Sequence, residues 1–317
     1  MRNIYKEMRH NVGKRIASSM KCKLLILFVV AALTALLYPP LVSATPLLGT
    51  DLASFTVLGA ETLTNVSTST IVGNVGVSAG TALPGFSFTS GLAVTDPQVT
   101  SGLVHSNTAV AASAQAQLTT ARTNLDSLGT GTLLAADLTL AGTIYPGVYT
   151  VPYGITNLSG AVTLDGQGNA NAAWVFQMDS SLITSSNSVV NVTNTGSGAG
   201  VYWNVRSDAT INTNTTLQGN ILAYSSIWMR TTATDLCGRA LADIGEVTLD
   251  QNRLSGICTG ELAGSNGLSG GLDVNTSGVV EFLPYTPIQA PVPEPATILL
   301  LGLGLIGLAG VRRRFNN

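Results

Sequence analysis

Along residues 45–285 the apolar positions come in short bursts among small polar residues, and turn signals such as Asp165-Gly166-Gln167-Gly168 and Asn194-Thr195-Gly196 cut them to strand length. Plentiful Val, Thr, Leu, Gly, Ser and Asn with few aromatic or charged residues suit short strands far better than helices. One stretch departs from this. In 106–128, Val110, Ala114, Leu118, Ala121, Leu125 and Leu128 recur at intervals of three and four, the spacing of one helical face. Ser106 or Asn107 is placed to cap its start and Gly129 its end. The stripe is one face wide, so the helix is expected to lie along the strand body.

Beyond Gly154 the strands become repetitive. The clearest copies are Ser181-Leu182-Ile183-Thr184-Ser185-Ser186, Thr210-Ile211-Asn212-Thr213-Asn214-Thr215, Trp228-Met229-Arg230-Thr231-Thr232-Ala233 and Thr248-Leu249-Asp250-Gln251-Asn252-Arg253, the last three starting 18 and 20 residues apart. That period fits one turn of a parallel β-solenoid and is too short for a strand–helix–strand unit. Stacking the copies predicts an internal ladder of Leu182, Ile211, Met229 and Leu249. Runs such as Val189-Val190-Asn191-Val192 and Asn220-Ile221-Leu222-Ala223-Tyr224 supply the other walls of each coil. The expected fold is mainly β: one domain, a parallel solenoid with a single long helix beside it.

The two ends read as processing signals. Residues 1–44 hold a basic stretch (1–23), an apolar run (24–37) and the small-residue site Val42-Ser43-Ala44, the order of a secretory signal peptide. Its apolar core falls short of the roughly 20 residues a membrane span needs. Residues 286–317 contain Val292-Pro293-Glu294-Pro295, an apolar run (296–311) and Arg312-Arg313-Arg314. This resembles the PEP-CTERM sorting signal of Gram-negative bacteria, centred on Pro293, Glu294 and Pro295. The resemblance implies an exosortase-type sorting enzyme as a partner, with the basic cluster holding the tail on the cytoplasmic side. The expectation is an exported protein, at the cell surface or extracellular, that meets membrane only through this C-terminal segment.

Setting the ends aside changes the charge. All four Lys lie in the leader and three Arg in the tail, so residues 45–291 carry five Arg against fifteen Asp and Glu, a net −10. Nucleic acid is a poor partner for such a body, because binding it takes clustered Lys and Arg. Cys22 belongs to the leader, and Cys237 and Cys258 remain for an oxidising compartment, where a disulfide between them is expected. Catalytic chemistry is thin. His105 is the one histidine of the body and is expected at the surface or capping the helix. The pairs Asp235/Asp243 and Asp165/Asp179 are the candidates for paired-carboxylate work. No enzyme, metal or cofactor is expected.

An ordered series then carries a closer resemblance: Leu48-Gly49-Thr50, Phe55-Thr56-Val57-Leu58-Gly59, Gly73-Asn74-Val75-Gly76-Val77-Ser78, Gly85-Phe86, the Ala-rich helix, Gly147-Val148-Tyr149, Leu164-Asp165-Gly166, Trp174-Val175-Phe176-Gln177 and Gly238-Arg239-Ala240-Leu241-Ala242. From about residue 47 to about 257 the chain resembles the microbial ice-binding, or antifreeze, family. That resemblance implies a right-handed, roughly triangular β-helix with one long helix alongside, and a flat sheet face that meets the surface of an ice crystal.

Ice recognition needs a rigid array of small groups, and stacked strands provide one. Neighbouring strands lie about 4.8 Å apart and alternate residues about 6.5–7 Å apart. Threonine brings a methyl, a hydroxyl and a stiff χ1 to such a grid. The candidate rows are Thr184, Thr213 and Thr231, then Ser186, Thr215 and Ala233, with Ser185, Asn214 and Thr232 between them; Thr64, Thr68 and Thr70 mark an alternative region. Trp228, Arg230, Asp250 and Arg253 would interrupt the grid, and a one-residue slip would exchange its two sides. A second reading stays open: a structural or polysaccharide-binding surface or biofilm protein without ice activity.

Overall fold

The computed structural model describes residues 44–288. The leader's apolar run, the 296–311 run and the sorting motif lie outside them. Among the described residues no helix is long and apolar enough to cross a membrane. Thr45–Val274 and residues 278–288 form one compact unit; Ala44 and Asn275–Ser277 are grouped apart, with the Ser277 N–H on Asn275 Oδ1 at 2.9 Å.

The body is mainly β with one long helix, Ala109–Asp126. Its strands stack in parallel, each coil on the next, in three rows. The helix-side row runs Thr132–Leu133, Gly147–Val151, Ala173–Met178, Gly200–Val205, Thr216–Ala223, Thr234–Ala242, Phe55–Gly59, Asn74–Val77 and Val104–Ser106. A separate five-stranded sheet holds Leu182–Ile183, Ala209–Ile211, Ile227–Met229, Val247–Leu249 and Leu63–Asn65. The third row holds Thr143–Ile144, Ala161–Asn169, Val189–Thr195, the first residues of Thr216–Ala223 and Thr234–Ala242, then Arg253–Ser255, Thr70–Val72 and Val99–Thr100.

Stacking order is not chain order. The N-terminal coil lies against the C-terminal one, with Val57 opposite Ala240, Leu63 opposite Val247 and Thr70 opposite Arg253. The long helix, about 27 Å at 1.5 Å per residue, connects the strand Val104–Ser106 at one end of the stack to Thr132–Leu133 at the other. It covers the helix-side row, packing Ala111, Ala114, Leu118, Ala121 and Leu125 on Leu58, Val175, Tyr202, Leu222 and Leu241. Buried on both faces, these strands read as unbroken apolar runs, and all of Ala173–Met178 and Gly200–Val205 is buried.

The helical face departs from expectation at its ends. Val110 is exposed and Ala111 takes its place inside. The cap is Thr108, whose Oγ1 accepts the Ala111 N–H at 3.2 Å. Asn107 has φ 49°, whereas an N-cap needs extended backbone. Gly129, with φ +75°, follows the helix as expected. The ladder Leu182, Ile211, Met229 and Leu249 does point inward, with one slip. Leu182 stands opposite Ala209 and so shares a column with Ile227, Val247 and Leu63.

Cys237 and Cys258 form a disulfide, with Cα atoms 4.6 Å apart. The bridge closes a loop with a sequence separation of 21, worth about 3 kcal/mol in the chain-entropy picture. Converting both residues to Ala should lower the unfolding free energy by about that amount in urea titrations. An unchanged midpoint would remove the bridge from the stabilising set.

Candidate functional site

With the helix over one row, the five-stranded sheet and the third row are left to meet solvent. In the five-stranded sheet each central residue is half-exposed between buried neighbours: Thr210 between Ala209 and Ile211, Trp228 between Ile227 and Met229, Thr248 between Val247 and Leu249. With Ile183 and Thr64 they form one outward column, Ile183–Thr210–Trp228–Thr248–Thr64, paired without a register shift. The third row shifts register between Asp165 and Asn169 and, where two strands bend toward the helix side, between Leu217 and Gly219. Gly219 has φ +108° and Gly238 stands opposite it, where a Cβ would collide with the Gly219 carbonyl.

Charged groups beside the central column are tied down. Asp208 accepts the Ser226 N–H at 3.0 Å and the Ser207 hydroxyl at 3.2 Å. Glu246 accepts the Thr62 hydroxyl at 3.2 Å and the Trp228 indole N–H at 3.4 Å, which draws the half-buried ring toward the neighbouring coil. Asp250 accepts the Thr231 hydroxyl at 2.5 Å. Arg230 stays exposed.

The corner leading to the third row is itself stacked. Asn187, Asn214, Thr232 and Gln251 all adopt positive φ, between 53° and 63°. The N–H groups of Asn187, Asn214 and Thr232 reach the carbonyls of Thr213, Thr231 and Asp250 at 3.0, 3.2 and 3.1 Å. Asn214 donates to the Asn187 side chain at 3.3 Å and accepts the Thr232 hydroxyl.

Two expected contact residues are corrected by this geometry. Thr184 and Thr215 are 1% and 0% exposed, with hydroxyls 3.0 Å apart inside the corner. Thr184 accepts the Asn212 N–H at 2.9 Å and Thr215 donates to the Ser185 carbonyl at 3.0 Å. Thr184 shares the inward parity of Leu182, and the left-handed residue Asn214 breaks the alternation before Thr215; Ala233 is buried as well. The remaining candidates lie on the corner, Ser186 and Thr232 exposed, Thr213 and Thr231 half-exposed. Thr210 and Thr248 were missed as face residues. Their signal was present as a threonine between two apolar residues.

His105 is buried, not at the surface. It packs edge-on against Phe55 and its Nδ1 lies 3.0 Å from the cap hydroxyl of Thr108, so burial lowers its pKa. Asp243 is taken by Arg122 at 2.9 Å. Among the described residues there is no group of three His, Cys, Asp or Glu placed to hold a metal ion.

The body is thus a stack of parallel coils with the helix over one row and an unshifted sheet beside it that the helix does not cover. Residues 57–255 match the family model described as ice-binding-like, and 291–314 match the PEP-CTERM protein-sorting motif. An ice-binding protein of Nostoc sp. (strain HG1) is 35% identical over 274 residues, 85% of this chain and 87% of that protein. Among solved structures, an ice binding protein from an Antarctic Biological Consortium superposes with TM-score 0.57 at 29% identity, over 69% of this chain and 95% of that one. One from the Antarctic ascomycete Antarctomyces psychrotrophicus gives TM-score 0.53 at 28% identity, over 65% and 95%. The chain belongs to the ice-binding-like family and carries a PEP-CTERM sorting motif.

Proposed function

We propose that this chain binds ice through the outer face of the five-stranded sheet and the adjoining corner. In this reading 45–285 is one right-handed β-helix domain, exported by the leader 1–44 and handled at the surface by an exosortase-type enzyme acting on 286–317. The observation that carries it is the unshifted column Ile183–Thr210–Trp228–Thr248–Thr64. A crystal lattice is periodic, so a face that keeps its strand spacing of about 4.8 Å over five strands suits it, and a face with bulges does not. Thr210, Thr248 and Thr64 bring stiff methyl and hydroxyl groups, and Thr213 and Thr231 extend the surface round the corner. The internally bonded Asp208, Glu246 and Asp250 leave few free charges to order water in competing geometries.

The test is crystal shaping and thermal hysteresis by purified 45–291. Thr210→Tyr adds a second ring beside Trp228, whose own indole is half-buried and bonded to Glu246, and is expected to reduce both strongly by lifting the lattice further off the five-stranded face, with stability changed by about 0.5 kcal/mol or less, as for other surface changes. Thr234→Tyr on the third row is expected to leave both intact. Loss of activity in Thr234→Tyr alone moves the site to the third row. Round crystals with the parent chain reject ice binding and favour a structural surface protein.

A further inference from the structure

The end of the described chain is tied to the body. Beyond the strand Val280–Phe282, the Leu283 N–H bonds the Gly271 carbonyl at 2.9 Å, and residues 284–288 then run along 168–171. The Ala170 N–H donates to Thr286 O at 2.6 Å and the Ile288 N–H to Gly168 O at 2.9 Å. The Thr286 N–H reaches Asn169 Oδ1 at 3.0 Å. Asn171 Nδ2 donates to Pro284 O at 3.1 Å and Thr286 Oγ1 at 3.0 Å, and the Tyr285 hydroxyl donates to Gly168 O at 3.4 Å. Asn169 and Pro287 form an antiparallel bridge.

The place of this strap in the coil is informative. Each coil passes from the helix-side strand to the five-stranded sheet, then to the third row, and turns back to the helix side; residues 168–171 belong to that last turn, between Ala161–Asn169 and Ala173–Met178. It is the one turn of the coil that does not adjoin the five-stranded sheet. From Ile288 to Ala296, where the apolar run begins, there are eight residues, a leash of at most about 28 Å. The strap leaves only those residues as slack between the body and the apolar run.

We infer that the 284–288 strap sets the orientation of the anchored protein: the turn at 168–171 faces the membrane and the five-stranded sheet faces away from it. The inference rests on the proposed ice-contact face for its biological use, since it directs that face outward to where ice would be met. Placing the exit on the five-stranded side would instead press the face against the cell. The strap, by holding the tail with six backbone and side-chain donors, removes the slack that would let the body turn over.

The full chain, held by its own C-terminal segment in a host without the sorting enzyme, allows a direct test that involves no ice. Once the leader is cleaved, the paired Cys237 and Cys258 leave no native thiol to react. Single-cysteine variants Ser197→Cys, on the same side of the next coil, and Thr248→Cys, on the five-stranded face, are reacted with a bulky maleimide-polyethylene glycol, in the anchored state and after detergent release. Anchoring is expected to slow Ser197→Cys at least roughly tenfold and Thr248→Cys less than about twofold. A long Gly-Ser insert between Ile288 and Gln289, which makes a flexible leash, should restore the Ser197→Cys rate. Equal slowing of the two sites, stronger slowing of Thr248→Cys, or no recovery with the insert overturns the inference. Ice shaping by Thr210→Tyr decides the contact face separately, so the two failures stay distinct.

Discussion

Arg239→Met is expected to cost about 3–5 kcal/mol, the range for removing one partner from a buried charged network. Arg239 is wholly buried. It donates to Asn220 Oδ1 at 2.8 Å, Asn266 O and Oδ1 at 3.0 and 2.9 Å, Gly267 O at 3.2 Å and Ala53 O at 2.6 Å. One guanidinium thus joins the N-terminal segment, the 266–267 loop and the strand Thr216–Ala223. Burial lowers its pKa to about 10, so it stays charged at neutral pH, and methionine of similar length leaves every acceptor unmet. A second consequence concerns Asp235, also wholly buried, whose carboxyl is pushed well above its usual range by desolvation while the Cys237 N–H and the Arg239 charge pull it back. A carboxyl with a raised folded pKa contributes stability that is present below its unfolded value and lost as pH rises toward the folded one. Without Arg239 the folded value climbs further, so between pH 4 and pH 8 the deficit of Arg239→Met should grow once the parent's folded value is passed and should not shrink at any point. Guanidinium titrations at the two pH values check both parts. A cost below about 1.5 kcal/mol removes Arg239 from the hub role, and a deficit that shrinks toward pH 8 contradicts its coupling to Asp235.

Much of the fold was legible because periodicity reports burial. The spacing of Ala114, Leu118, Ala121 and Leu125 named the buried helical face, and the 18- and 20-residue intervals from Thr210 to Trp228 to Thr248 are the coil period. What the pattern misses is register at corners. Thr184 and Thr215 look like their exposed neighbours in composition, yet Thr184 keeps the inward parity of Leu182, and the left-handed Asn214 resets which side Thr215 faces. Chain order hid the stacking as well. Nothing local in Phe55–Gly59 says that its partner is Thr234–Ala242, about 180 residues on, because that pairing depends on the helix returning the chain to the far end of the stack. His105 was misplaced for a related reason, since a lone histidine before a helix reads as a surface cap until Phe55 is packed against it.

Trp203→Ala is the second change with a large expected effect. Trp203 is 1% exposed and stacks on Phe176 with ring centroids 4.3 Å apart and planes at 12°; Phe176 in turn meets Tyr149 at 5.9 Å and 24°. The stack follows from register, because Tyr149, Phe176 and Trp203 occupy the same position in three consecutive coils. Trp203 also donates its indole N–H to the Gln218 carbonyl at 3.0 Å, beside the register shift at Leu217 and Gly219. Truncation to Ala therefore opens a cavity between coils and leaves that carbonyl unpaired, for an expected loss of about 3–5 kcal/mol. Trp203→Phe keeps the stacking and most of the volume, so its cost should stay near 1–2 kcal/mol, most of it from the lost hydrogen bond and the smaller ring. Chemical denaturation of both variants separates the two contributions. If Ala and Phe cost the same, the hydrogen bond alone matters and the aromatic column does not hold the coils in register; if Ala costs less than about 1 kcal/mol, the interior there collapses around the gap.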